Sequence, residues 1–104
     1  MSAAEPAVLF AALGDATRLQ LLRRLSASGA ASITVLSADT RLTRQAVTKH
    51  LAVLERAGFV ARARAGRESR YVFRPEPVAA ARDELTGVAA QWDAALERLR
   101  TFVD

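Results

Sequence analysis

Three observations predict a mainly α fold that carries one small β-hairpin. Apolar residues recur at helical spacing through residues 42–58 and again through 78–103. The stretch between them, 59–74, alternates with a period of two around a glycine, the pattern of two short strands and a turn. Two further helical segments precede residue 42, punctuated by Gly14 and Gly29.

The 104 residues suffice for one domain but are few for two separate cores, and 51% hydrophobic residues argue for a folded chain. The sequence has no cysteine, which excludes a disulfide framework, a thiolate metal site and a thiol switch. The longest apolar run, Ala7 to Leu13, is far too short to span a membrane. Met1 to Pro6 carries Glu5 and no basic residue, unlike a signal peptide. The expectation is a soluble, cytoplasmic protein with no membrane partner. The net charge of +4 conceals an asymmetry. Residues 41–74 hold eight arginines and Lys49 against Glu55 and Glu68, a local charge of +7, while the remaining chain is at −3. Such a concentration is either an electrostatic footprint for nucleic acid or a solvated basic face.

In chain order, Pro6 suits the first turn of a helix that presents Val8, Leu9, Phe10 and Leu13 as apolar contacts and ends at Gly14. Asp15 is placed to cap a second helix over 16–27, with Leu19, Leu22 and Leu25 on one face and Gln20, Arg23 and Arg24 towards water. The run from Ser32 to Asp39 is too short to assign by periodicity. Ile33 could begin a short strand, with Thr34 or its neighbours opening a brief helix. Arg41-Leu42 then forms the turn into the most informative segment, 43–57.

There Thr43 is a natural N-cap and Gly58 suits the left-handed residue that closes a helix. At 100° per residue, Val47, His50, Leu51 and Leu54 share one side, and Gln45, Lys49, Ala52 and Arg56 the other, with Thr48 at the flank. An outward row of amide, hydroxyl and cations beside a small residue can enter a DNA groove. Two short helices joined by a tight turn make a helix-turn-helix over 33–58. Phe59 to Arg64 and Ser69 to Arg74 then read as strands around Ala65-Gly66-Arg67-Glu68. Tyr71 and Phe73 can face the core, leaving guanidinium groups along one side and Arg67 at the tip. That is the form of a DNA-binding wing over 59–74, since arginine binds phosphate bidentately or enters a narrow minor groove.

After Pro75 and Pro77, Val78, Leu85, Trp92 and Leu99 recur every seven residues through 78–103, joined by apolar residues between them. Gly87 is the weak point of this helix, at a cost of roughly 1 kcal/mol relative to alanine. So long a stripe exceeds what a small core needs, and it is read as a homodimer seam with the first helix, 6–13, alongside. Residues 1–104 are expected to form one such unit.

The pieces Ala12-Leu13-Gly14-Asp15-Ala16-Thr17-Arg18, Leu42 to Leu51, Leu54-Glu55-Arg56-Ala57-Gly58-Phe59-Val60 and Gly66-Arg67-Glu68-Ser69-Arg70-Tyr71 together resemble the ArsR family of bacterial winged-helix repressors. They follow the family's order and cover most of residues 8–103. The resemblance implies a homodimer joined by its first and last helices, whose two recognition helices read a palindromic operator. On helix and wing, the DNA-facing set is then Thr43, Arg44, Gln45, Thr48 and Lys49, with Arg62, Arg64, Arg67 and Arg70. The implied interface set is Val8, Leu9, Leu85, Val88, Trp92, Leu96 and Leu99.

Metal-sensing relatives use cysteines near the third helix or a carboxylate–histidine set on the last. Here 33–40 has no cysteine and 78–104 no histidine. Asp83, Glu84, Asp93 and Glu97 alone make a poor site for zinc-like metals. His50 is the one imidazole, and its apolar neighbours favour a hydrogen-bonded residue at the core edge over a ligand. No metal and no cofactor is expected, and the inducing signal is open; a small apolar ligand near Trp92 competes with a plain interface tryptophan. The leading function is a repressor that binds double-stranded DNA through 43–57 and 60–74. The alternative is a winged-helix protein-interaction module whose arginines attract an acidic partner. Nothing resembles an acid–base constellation or a phosphate-binding glycine motif, so an enzyme is not expected.

Overall fold

The computed structural model describes residues 5–38 and 40–103, and Met1 to Ala4 lie outside the described residues. Pro6 opens helix α1 (Pro6–Leu13) at the position where its missing N–H has no intrahelical partner to lose. Helix α2 (Ala16–Ser28) is capped by Asp15, whose carboxylate accepts the Arg18 backbone N–H at 3.0 Å. Gly29, at φ +82°, turns the chain into strand β1 (Ala30–Ser32). Helix α3 (Ile33–Ala38) follows directly. Ile33, expected in a strand, opens this helix instead, because the buried Ser32 hydroxyl accepts the Val35 N–H at 3.2 Å and starts the turn.

Helix α4 (Arg44–Arg56) begins at Thr43, whose hydroxyl accepts the Ala46 N–H at 3.1 Å. Strands β2 (Val60–Ala65) and β3 (Glu68–Phe73) form the hairpin. They lie in a three-stranded antiparallel sheet of order β1-β3-β2, so the hairpin has a third strand that sequence periodicity did not reveal. Helix α5 (Glu76–Val103) closes the chain and starts two residues ahead of its expected first residue.

The core gathers Leu25, Leu36, Val47, Leu51, Leu54 and Phe59, joined by Leu9 and Ala12 of α1 and by Tyr71 of β3. On α2 the buried residues are Leu21, Leu22 and Leu25, whereas Leu19 is exposed. The helix packs against α1 and α4 as well as against β1 and β3, and this displaces and broadens the expected stripe. The body is small and α5 outgrows it. Beyond Ala81, every residue of α5 is exposed except the half-buried Ala95. The radius of gyration is 17.6 Å and the longest extent 66 Å, against about 13 Å for the radius of a compact chain of this length. No described helix is long and apolar enough to cross a membrane.

Candidate nucleic-acid interface

Helix α4 owes its orientation to its buried side. Val47, Leu51 and Leu54 are fully buried, which leaves Arg44, Gln45, Thr48, Lys49 and Arg56 exposed on the outer surface, with Ala52 half-buried among them. Two hydroxyls on this helix differ in what they have left to offer. The Thr48 hydroxyl donates to the Arg44 carbonyl oxygen at 2.7 Å, so its proton is committed and only its lone pairs and methyl face outward. The Thr43 hydroxyl accepts at the cap and keeps its proton free to donate.

The end of α4 fixes the wing. Gly58, at φ +88°, donates its N–H to the Glu55 carbonyl oxygen at 3.0 Å, and Phe59 donates to that of Leu54 at 3.0 Å. These are the two bonds of a Schellman motif, sealed by contact between buried Leu54 and Phe59. The Phe59 carbonyl oxygen in turn accepts the Arg74 N–H at 2.8 Å, so the last residue of the helix cap is bonded to the base of the hairpin. At the far end, Ala65 faces Glu68 across a two-residue loop, Gly66-Arg67. Gly66 has φ +64° and Arg67 does not have positive φ, as a type II′ turn requires.

The register corrects one expectation. Residues directly opposite in a ladder share a face. Arg62 faces Tyr71 and Arg64 faces Ser69, whereas Arg70 faces Ala63 on the reverse side. The guanidinium groups therefore occupy both faces of the wing and its Arg67 tip, not one side. Arg62, Arg64, Arg67 and Arg70 are all exposed. Among the described residues, no carboxylate lies within 4.0 Å of any of these four, of Arg44 or of Lys49. Their charge is left for an external anion.

His50 stands at the rim of the same helix. Its Nδ1 lies 3.4 Å from an Arg18 terminal nitrogen and 3.7 Å from Asp15 Oδ2. The Arg18 backbone N–H, above all, holds the Asp15 carboxyl below its ordinary range, with His50 and the Arg18 charge adding to the effect. Sequence reasoning used Arg18 only as part of a motif. The spacing, three residues after the Asp15 cap, signals only its backbone N–H bond to that carboxylate and not the reach of its guanidinium.

The residues expected at a dimer seam divide. Val8, Leu85, Val88, Trp92, Leu96 and Leu99 are exposed apolar side chains, Trp92 at 67%. Leu9, at 2%, belongs to the chain's own core, because α1 turns that side towards the body. It has no surface left for a second copy. Of the five acids on α5, Asp83 lies 3.7 Å from Arg82 and Glu97 3.6 Å from Arg100, both well exposed.

The comparisons with known proteins agree with this geometry. The pattern of a helix-turn-helix domain family matches residues 13–63. The uncharacterized HTH-type transcriptional regulator YuzN of Bacillus subtilis (strain 168) is 40% identical over 76 residues, covering 67% of this chain and 83% of that protein. The structure of an ArsR-like transcriptional regulator from Rhodococcus sp. RHA1 superposes with a TM-score of 0.80 at 31% identity, over 95% of this chain and 92% of that one. A crystal structure of a second ArsR family transcriptional regulator gives 0.77 at 28% identity, over 88% and 97%. With its fold, its helix-turn-helix segment and these relatives in agreement, the chain belongs to the ArsR family of winged helix-turn-helix, DNA-binding transcriptional regulators, and is not an enzyme.

Proposed function

We propose that this regulator is a homodimeric repressor that occupies a palindromic operator in the cytoplasm, where it can reach DNA. The observation that carries the proposal is the pairing of an exposed polar row on α4 with a wing bonded to the end of that helix. Gln45 and Lys49 enter the major groove, Gln45 as a candidate adenine reader and Arg44 or Lys49 as a guanine or phosphate contact. Thr43 donates to the phosphate backbone and Thr48 offers its methyl and lone pairs. Arg62, Arg64, Arg67 and Arg70 straddle the neighbouring backbone from both faces of the wing. Phosphate contacts position the protein and base contacts specify the site.

Two copies follow from α5. Its outer apolar stripe is exposed among the described residues, and contiguous exposed apolar patches mark interaction surfaces. Pairing through α5 with Val8 of α1 alongside sets two recognition helices about 34 Å apart. Repression is the mode of action for which these parts suffice, since occupancy of a promoter needs only a DNA reader. Residues 1–104 act as one unit in this reading. Fluorescence anisotropy with an operator fragment tests it: Gln45→Ala and Lys49→Ala should each weaken binding and relax sequence preference. Unchanged affinity and preference in both would show that α4 is not the reader. Failure of the unaltered protein to bind DNA even at low salt would favour a protein-interaction module.

A further inference from the structure

We propose that Arg18 and His50 form a proton-sensitive positioning link between the recognition helix and the C-terminal end of α1. The inference rests on the DNA-reading role proposed for α4. Arg18 stands in the first turn of α2 and its guanidinium reaches three ways. Nε donates to the Ala12 carbonyl oxygen at 2.6 Å and one terminal nitrogen donates to that of Ala11 at 3.1 Å. Both acceptors lie at the end of α1, where a helix leaves carbonyls unpaired and favours a cation. The other terminal nitrogen lies 3.4 Å from His50 Nδ1 on α4. One side chain of α2 thus joins two further helices, α1 and α4.

A guanidinium has no lone pair to offer, so the contact needs Nδ1 to be the acceptor and the imidazole to be neutral with its hydrogen on Nε2. A proton at Nδ1 removes that acceptor and sets a second cation beside Arg18. Asp15 Oδ2, 3.7 Å from the same nitrogen, is then the partner that His50 gains as Arg18 is displaced. The Arg18 backbone N–H holds the Asp15 carboxyl below its ordinary pKa, which favours the carboxylate as that partner. Among the described residues, Asp15 is the one ion-pair partner of His50. Neither α1 nor α3 has a titratable residue, β2 carries Arg62 and Arg64 out along the wing, and Lys49 lies on the outer side of α4. Because α1 packs on α5, the link sits between the proposed pairing surface and the proposed DNA reader.

The test measures operator affinity of the full chain from about pH 8 to about pH 5, the interval in which histidine changes charge. His50→Asn keeps an acceptor near the Nδ1 position without titrating, and His50→Phe keeps bulk without an acceptor. Relative to His50→Asn, the unaltered protein should lose about three- to tenfold in affinity on acidification, the size of one modest hydrogen bond. His50→Phe should be weakened to a similar degree at both ends of the range. Identical pH profiles for the unaltered protein and His50→Asn would overturn the link while leaving the DNA-reading role intact. Absence of operator binding by the unaltered protein at either pH would overturn both.

Discussion

Replacing Trp92 with alanine should separate the two copies of the proposed dimer while leaving each copy folded. A tryptophan side chain carries about 150–250 Å² of surface. With 67% of the residue exposed, roughly 100–170 Å² remains in water in the single chain. Burying that area against a second copy contributes about 2.5–4 kcal/mol per copy at about 25 cal/mol per Å². Alanine keeps a fraction of the contact, so about 2 kcal/mol or more should be lost per copy, or about 4 kcal/mol for the two copies of a dimer, a weakening of association on the order of a thousandfold. Sedimentation equilibrium across a wide concentration range reads this directly. Emission from Trp92, the one tryptophan in the chain, should shift to shorter wavelength as the unaltered protein associates. Because Trp92 makes no part of the chain's own core, unfolding of the monomer should change by less than about 0.5 kcal/mol. An unaltered monomer–dimer equilibrium in Trp92→Ala would place Trp92 outside the contact between copies. An unaltered protein that is monomeric at the concentrations where it binds DNA would overturn the dimer itself.

Other consequences are as specific. Gly58→Ala places a side chain at φ +88° and should cost about 1–2 kcal/mol, a fall in melting temperature of roughly 4–16 °C for a domain of this size; an unchanged melting temperature would argue against the Schellman cap. Arg67→Ala should make the plot of log affinity against log salt shallower by about 0.9 per copy, or about 1.8 for two copies. An unchanged slope would remove the wing tip from the phosphate contacts. Asp15 has a folded-state pKa below its ordinary value of 3.8, so its stabilisation is present above that value and is lost as pH falls through the folded pKa. Acid unfolding should therefore be less steep in Asp15→Asn than in the unaltered protein, and coincident acid limbs would contradict the assignment.

Much of this fold was legible because α1, α2 and α4 carry end signals in their own sequence. Pro6, Asp15, Thr43 and Gly58 stand at element boundaries in the structure as their chemistry requires. The outer row of α4 followed from where Val47, Leu51 and Leu54 had to go. The features that escaped are those fixed by tertiary contact. Strand β1 is three small residues long, and it exists because Gly29 turns the chain back against β3, where its carbonyl oxygen accepts the Phe73 N–H at 2.9 Å. The division of the wing arginines between two faces depends on register, which the two-residue turn sets. Leu9 and Val8 are neighbours in an apolar run, and only the packing of α1 decides that the first is core and the second is surface. Arg18 carries no local sign that its guanidinium would span from α1 to α4.

Selection from a random double-stranded DNA library at near-physiological salt decides whether α4 reads DNA in paired copies. Inverted repeats whose half-site centres are about 10 base pairs apart should be enriched, with the enriched sequence altered or lost in Gln45→Ala. A library that emerges unenriched, or an enriched sequence that Gln45→Ala and Lys49→Ala both select unchanged, would contradict that role for α4.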